Sequence, residues 1–288
     1  NNKYSEEAYN DLARNTQNLN LMRLGGLNNA TENEKELALI ASDVFVSPSD
    51  NIQETFGITV IEAMSAELPV LISDWNGYKD IIKDGYNGYL IPTTYYLGLE
   101  KSLDFIDKNY QLDQLDYDHM VGTRSMTTIV DSNIMAERLI FLINNPNKRI
   151  EIGRKARKDW ESKYSWIIVQ QELRDLWEDL LKRRRQSSFK SIQRPVIPPI
   201  KYLFDDYGSN VFDKNSIKIN KNDISPEILK QTLNLPFSNI IIGSSLDKLI
   251  QFIFENQSLD SQDLYQLGIP PEKHKLVISM LVKLGLGK

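Results

Sequence analysis

The chain of 288 residues contains no cysteine and only two histidines. Without thiols, this sequence cannot form a disulfide scaffold, a zinc ribbon or a cysteine nucleophile. Long hydrophobic runs are also missing, since no apolar stretch approaches the ~18 residues that span a bilayer. Positive charge is not in excess, because 34 Lys and Arg stand against 39 Asp and Glu. This mild acidity argues against nucleic-acid binding by bulk charge. We therefore expect a cytoplasmic protein with no nucleic-acid partner.

The overall composition is that of an ordinary globular protein. Hydrophobic residues make up 41% of the chain and charged residues 25%, both close to typical values. At roughly 100–200 residues per domain, the length predicts one large domain or two modest ones.

The first 185 residues alternate short apolar runs with helical patterns. Strand-like runs lie at 19–24, 43–48, 69–73 and 88–92, and helical patterns lie at 34–41, 58–66 and 78–83. This alternation predicts an α/β fold, with a Rossmann-like parallel sheet covered by helices on both faces. Ligands of such sheets bind beyond the carboxyl ends of the strands. The loops after Val46, Ser73 and Ile91 are therefore the predicted binding region.

The remainder of the chain changes in character. Residues 94–130 are less regular and suggest an insertion, followed by helices at 132–144, 149–164 and 166–185 whose tryptophans (Trp160, Trp166 and Trp177) we expect in the core. Residues 186–200 form a predicted linker, because they are rich in proline and serine. Short helical patterns at 246–254, 260–267 and 271–284 predict that residues 201–288 are a small, mainly α module. Its resemblance to a winged helix is weak.

The most informative stretch, residues 41–64, is a strand, a loop, a glycine and a helix. Gly57 allows close approach to the backbone, and the helix that starts near Ile58 presents free N–H groups suited to a phosphate. Glu54 precedes this helix and Glu62 lies on it among apolar neighbours. A carboxylate there needs a partner, and a ligand with many hydroxyls would serve. Spacing alone also allows Glu54 to favour the helix dipole while Glu62 points to solvent.

Glu54 and Glu62 match the Glu-x7-Glu motif of the retaining, nucleotide-sugar-dependent glycosyltransferases of group 1 (family 4), which have the GT-B fold. The resemblance extends in order through residues 43–48, 54–57, 62–64, 68–70, 73–80, 84–90 and 145–166, and it covers about residues 15–185. One departure is Glu67, which stands in a turn where the family often has glycine. The many ordered matches make the resemblance far more specific than the glutamate pair alone.

The resemblance implies a role for each matched residue. Glu62 would bind the ribose hydroxyls of the donor nucleotide, and Glu54 would lie against the transferred sugar as the catalytic-site carboxylate. The implied donor-binding residues are Phe56, Gly57, Ile58 and Thr59 through their backbone amides, with Leu27 near the base. No divalent metal and no cofactor is implied beyond the nucleotide-diphosphate sugar, which is the donor substrate.

The resemblance also implies that part of the family's architecture is missing. The family has an amino-terminal acceptor domain, and its donor domain opens with a loop whose Arg and Lys grip the donor phosphates. Nothing before Leu19 matches either, and the first residue is Asn1 rather than Met. We therefore expect an N-terminally truncated GT-B half, the carboxyl-terminal donor-binding domain, that is inactive alone. Any peripheral membrane contact would belong to the missing domain.

The function predicted from these residues is transfer of a hexose-type sugar, with retention, to a glycan, lipid or small-molecule acceptor. The alternative is a non-catalytic nucleotide-sugar-binding or protein-interaction module. Two further groups of residues follow strand ends and could line a donor cleft. One is Trp75 to Tyr78, which could equally be loop packing, and the other comprises Tyr117, Gly122 and Ser125.

Overall fold

The structure, a computed structural model, describes residues 9–10, 14, 20–24, 30–96, 105–186, 206–221 and 224–287. Its helices are α1 (Glu32–Ala41), α2 (Ile58–Ser65), α3 (Tyr78–Ile81), α4 (Phe105–Gln111), α5 (Tyr117–Met126), α6 (Ser132–Asn144), α7 (Pro146–Lys163), α8 (Trp166–Gln186), α9 (Pro226–Leu233), α10 (Pro236–Ile242), α11 (Leu246–Glu255), α12 (Ser261–Gln266) and α13 (His274–Lys283). Its strands are β1 (Phe45–Ser47), β2 (Val70–Ser73), β3 (Gly88–Ile91), β4 (Thr93–Tyr95), β5 (Ile129–Val130), β6 (Asn210–Val211), β7 (Ser216–Lys218) and β8 (Ser258–Asp260).

A parallel sheet in the order β1-β2-β3 confirms the predicted α/β class. Side chains alternate across it, as the pleat requires. On one face Val70 and Ile72 pack with residues of α2 and α7, and on the other Leu71 packs with Leu142 of α6. Helices therefore cover both faces, and the three strands end at a common edge after Ser47, Ser73 and Ile91.

The start of α2 is set by Gly57, which adopts the left-handed backbone conformation (φ 91°). A β-carbon at this position would lie 2.4 Å from Cε1 of Tyr78, so both the backbone and the space favour glycine. Glu67, in the turn that follows α2, also has a left-handed backbone conformation (φ 61°). That conformation explains why glycine suits the position, and Glu67 occupies it in this chain.

A second and larger core joins residues 105–126 to residues 206–287. β4 pairs antiparallel with β5 and parallel with β6, and α5 packs against α10. The described residues of the predicted insertion, 94–96 and 105–130, therefore contain two helices and two short strands. The described part of residues 201–288 is mainly helical, as expected. Most of the predicted linker, 187–200, lies outside the described residues, and the domain boundaries stay a prediction.

A buried ion pair lies beside this second core. The Arg124 guanidinium and the Asp107 carboxylate are 4% and 1% exposed as residues, and Nη2 of Arg124 donates to Oδ1 of Asp107. Nη1 donates to the carbonyl oxygen of Tyr96 at 2.9 Å. The pair thus joins α4, α5 and the end of the β4 segment.

Two predictions about local structure are wrong. Residues 20–24 form no strand. Trp166 and Trp177 are 75% and 59% exposed, because the packing of α8 against α7 leaves none of its residues buried. Trp160 does pack against the core beside α2. Among the described residues, no helix combines the length and the apolar character needed to cross a membrane.

Candidate functional site

The loop between β1 and α2 is fastened to the sheet edge by hydrogen bonds from the β2–α3 segment. The Ser73 hydroxyl donates to the carbonyl oxygen of Ser49 at 2.6 Å, and the Trp75 indole N–H donates to that of Asn51 at 2.9 Å. The Asn76 side-chain amide donates to the carbonyl oxygen of Glu54 at 2.9 Å. Glu54 is therefore held at the carboxyl edge of the parallel sheet, where the fold predicted ligand binding.

The Glu54 carboxylate is oriented by two donors. Its Oε1 accepts a hydrogen bond from the Phe56 amide at 3.3 Å, and its Oε2 lies 3.4 Å from the Tyr78 hydroxyl. That hydroxyl also lies 2.9 Å from Oγ of Ser47 at the end of β1. Burial raises the pKa of Tyr78 above its ordinary value of 10.0, and the negative charge of Glu54 raises it further. Tyr78 therefore stays protonated and acts as a hydrogen-bond donor to Glu54.

Replacing Tyr78 by phenylalanine should lower the free energy of unfolding by about 0.5–1.5 kcal/mol, the usual contribution of one hydrogen bond. A raised folded pKa means that this contribution is complete below pH 10 and is lost as the pH rises further. The variant should therefore lose stability less steeply than the wild type above pH 10, as measured by urea unfolding across pH. Tyr265→Phe, at an exposed tyrosine, is the control at neutral pH. Equal slopes above pH 10 in wild type and Tyr78→Phe would contradict the burial of this hydroxyl.

The N-terminus of α2 faces solvent beside Glu54. Ile58 is exposed and so is Thr59, and amides of a first helical turn lack intrahelical acceptors. The Phe56 amide, in contrast, is occupied by Glu54, and the Phe56 ring makes an edge contact with Tyr164 at 6.3 Å between centroids. The amides of Ile58 and Thr59 are thus the better placed of the predicted anion-binding groups.

Glu62 has a partner that spacing did not reveal. Its Oε1 accepts a hydrogen bond from Nζ of Lys35 on α1 at 3.0 Å. Lys35 also pairs with Glu32 at 2.9 Å. The hydrogen bond to Glu32 raises the pKa of Lys35 most, and the hydrogen bond to Glu62 raises it further. Within the described part of the chain, Oε2 of Glu62 accepts no hydrogen bond. One oxygen of a half-buried carboxylate is therefore open on the helix that follows Glu54.

The other predicted site residues fall in different places. Leu27 lies outside the described residues. Trp75 is buried between Tyr95 and Tyr207 in two edge contacts, so loop packing is the correct alternative for this side chain. Gly122 packs against the Phe237 ring. Ser125, one of the three cleft candidates on α5, contacts the loop that bears Glu54. Its hydroxyl donates to Oδ1 of Asp50 at 2.6 Å.

The sequence reasoning missed Lys35, Tyr78 as a partner of Glu54, and Asp50. No periodicity or motif signals these contacts, since they join side chains 24 or more residues apart. Across the part of the chain that the structure describes, no three His, Asp or Glu side chains are grouped so that they could hold a metal ion.

The fold and site define an α/β protein in which α2 begins at the carboxyl edge of a parallel sheet, with the Glu54 carboxylate before the helix and the Glu62 carboxylate on its second turn. Residues 4–114 match the sequence profile of the family described as "Glycosyl transferases group 1". This segment of the chain is therefore similar to the group 1 glycosyl transferases, and the family resemblance predicted from Glu54, Glu62 and their neighbours is confirmed.

The chain is also similar in sequence to individual proteins. Spore coat protein SA of Bacillus subtilis is 29% identical over 138 residues, which are 48% of this chain and 27% of that protein. Phosphatidyl-myo-inositol mannosyltransferase of Mycobacterium leprae is 38% identical over 58 residues, 20% of this chain and 15% of that protein. Sucrose synthase of Acidithiobacillus caldus is 41% identical over 76 residues, 25% of this chain and 9% of that protein. The chain thus matches only a minor part of each relative's length.

Proposed function

We propose that this chain is the donor-binding half of a GT-B glycosyltransferase that takes a sugar from a nucleotide-diphosphate sugar, with retention. The observation that supports this best is the exposed N-terminus of α2, with Glu54 in the loop before it and Glu62 on the second turn of the helix. An N-terminus of this kind attracts phosphate through its N–H groups and its dipole. The carboxylates of Glu54 and Glu62 then suit the hydroxyl-rich parts of such a donor, the sugar and the ribose.

Each residue has a distinct role in the proposed reaction. The open Oε2 of Glu62 accepts hydrogen bonds from the ribose hydroxyls, while Lys35 holds the other oxygen. Glu54, oriented by Tyr78 and the Phe56 amide, accepts hydrogen bonds from hydroxyls of the transferred sugar. The amides of Ile58 and Thr59 stabilise the negative charge that develops on the departing diphosphate, which is where fixed dipoles lower a barrier most effectively. The leaving group departs and the acceptor attacks on the same face of the sugar, so that the configuration is retained.

The proposal also includes the acceptor and the absence of a requirement for a divalent cation. Two of the relatives are named for sucrose and for phosphatidyl-myo-inositol, and we propose that the acceptor is a glycan, a lipid or a small molecule. We propose that donor binding needs no added divalent cation, because the helix N-terminus supplies positive potential at the phosphates.

The decisive experiment is a calorimetric titration of the whole chain with UDP, GDP and ADP. We expect one of them to bind, and Glu62→Gln to weaken its binding by roughly 10- to 100-fold, since a hydrogen bond to a charged group is lost. Glu67→Gln is the matched control, because this carboxylate is exposed in the turn that follows α2 and lies 3.4 Å from Nε of Arg154. Equal affinity in the wild type and Glu62→Gln would overturn the ribose assignment.

A further inference from the structure

We propose that the carboxyl-terminal helix α13 is a positioning element of the donor site, acting through Lys283 on Asp50. Asp50 lies in the loop between β1 and α2, four residues before Glu54. Nζ of Lys283, the last residue of α13, donates to Oδ2 of Asp50. The expected effect on donor binding rests on the proposed function. The contact between Lys283 and Asp50 and its effect on the loop do not depend on that function.

Two distant parts of the chain converge on the Asp50 carboxylate. Oδ1 accepts the Ser125 hydroxyl of α5 at 2.6 Å, while Oδ2 accepts Lys283 of α13. Lys283 also donates to the carbonyl oxygen of Ser125 at 2.5 Å, which closes a ring of hydrogen bonds. The side chains of Lys283 and Asp50 are 22% and 31% exposed, so the pair is partly withdrawn from water and salt screens it less than a surface pair.

These hydrogen bonds hold the side of the loop between β1 and α2 that faces away from the end of β2. The hydrogen bonds from Ser73 and Trp75 hold the backbone at Ser49 and Asn51 from the side of the β2 end. Asp50, between them, is held from the second core instead. Ile52 then inserts its side chain into that same core. The loop that leads into Glu54 is thus fixed from two sides, and only one of them belongs to the parallel sheet.

The consequence is that the carboxyl-terminal segment contributes to donor binding without touching the donor. Residues 206–209 add to this support, since the Tyr207 carbonyl oxygen accepts the Asn76 amide at 2.7 Å and the Ser209 hydroxyl bonds to Asp74. Asn76 in turn holds the backbone of Glu54. Lys283 is therefore a positioning residue and not a catalytic one.

The test compares Lys283→Met, Lys283→Arg and Asp50→Asn in the whole chain by hydrogen–deuterium exchange of residues 49–57. The reporters are the amides of Gln53, Glu54 and Phe56, which are hydrogen-bonded within the loop. Lys283→Met and Asp50→Asn should speed their exchange roughly ten-fold, as expected for the loss of one charge-assisted hydrogen bond. Lys283→Arg should retain the protection, because it keeps the charge.

Lys275→Met is the matched control. Lys275 lies on the same helix and pairs with Asp213 at 2.6 Å, away from the loop. Unchanged loop exchange in Lys283→Met, or the same increase in Lys275→Met, would overturn the proposal. If Lys283→Met does not fold, the isosteric Asp50→Asn gives the same readout and decides the question.

Titration with UDP, GDP and ADP then separates this proposal from the proposed function. We expect Lys283→Met to weaken nucleotide binding roughly ten-fold and Lys283→Arg to restore most of it. If the wild type binds none of the three nucleotides, the proposed function fails while the exchange result still decides the role of Lys283. If the wild type binds and Lys283→Met binds equally well, α13 does not position the donor site.

Discussion

Replacing Arg124 by methionine should lower the free energy of unfolding by about 3–5 kcal/mol, the usual cost of removing one partner from a buried ion pair. Methionine keeps the length of the side chain but removes the guanidinium that neutralises Asp107, a residue that is 1% exposed. It also removes the donor to the Tyr96 carbonyl oxygen. Because total stabilities are roughly 5–15 kcal/mol, the midpoint of urea unfolding should fall markedly.

Two further variants determine whether the effect comes from the buried charge. Arg124→Met combined with Asp107→Leu should be more stable than Arg124→Met alone, since a hydrophobic pair of similar volume commonly replaces a buried ion pair at little cost. Arg183→Met removes an exposed pair with Asp179 on α8 and should change the stability by less than about 1 kcal/mol. A wild-type midpoint in Arg124→Met would show that Asp107 is not buried as described.

Truncating Trp75 to alanine should cost about 3–5 kcal/mol, the range for removing a large buried aromatic side chain. The ring is 1% exposed and contacts Tyr95 and Tyr207 edge-on at 5.6 and 5.3 Å. Its N–H also bonds to Asn51 in the loop before Glu54. Trp75→Ala should therefore destabilise the second core and loosen the candidate site together.

Matched controls separate the ring from its hydrogen bond. Trp75→Phe keeps most of the buried area and loses the N–H, so we expect a smaller loss of about 1–3 kcal/mol. Trp177→Ala removes a tryptophan that is 59% exposed and should change the free energy of unfolding by less than about 1 kcal/mol. Equal effects of Trp75→Ala and Trp177→Ala in chemical denaturation would contradict the burial of Trp75.

Trp75 and Asp50 show how the molecule is organised around the loop that bears Glu54. Trp75 stands at the carboxyl edge of the parallel sheet, yet its ring belongs to the core shared with residues 206–287. Asp50 similarly bonds to α5 and α13. The candidate donor site therefore lies where the sheet and the second core meet, and mutations in either should affect it.

Local patterns predicted most of the regular structure. The strand of residues 70–73 and the helix of 132–144 follow from apolar periodicity, and Gly57 marks the start of α2 because few other residues adopt its backbone conformation. The short strands β4 and β5 escaped prediction, since strands of two or three residues have no measurable period. Trp166 and Trp177 were misassigned because helical spacing predicts an apolar face but not whether another element covers it.

The linear pattern of residues was sufficient to identify the family, the parallel sheet, and Glu54 and Glu62 as the candidate site pair, because all of these depend on residues close together in the chain. Only the tertiary structure decided what holds that pair. Tyr78 reaches Glu54 across 24 positions, Lys35 reaches Glu62 across 27, and Lys283 reaches Asp50 across 233. Such contacts depend on how separate elements pack, and a hydrogen bond between distant side chains leaves no periodic signal in either segment.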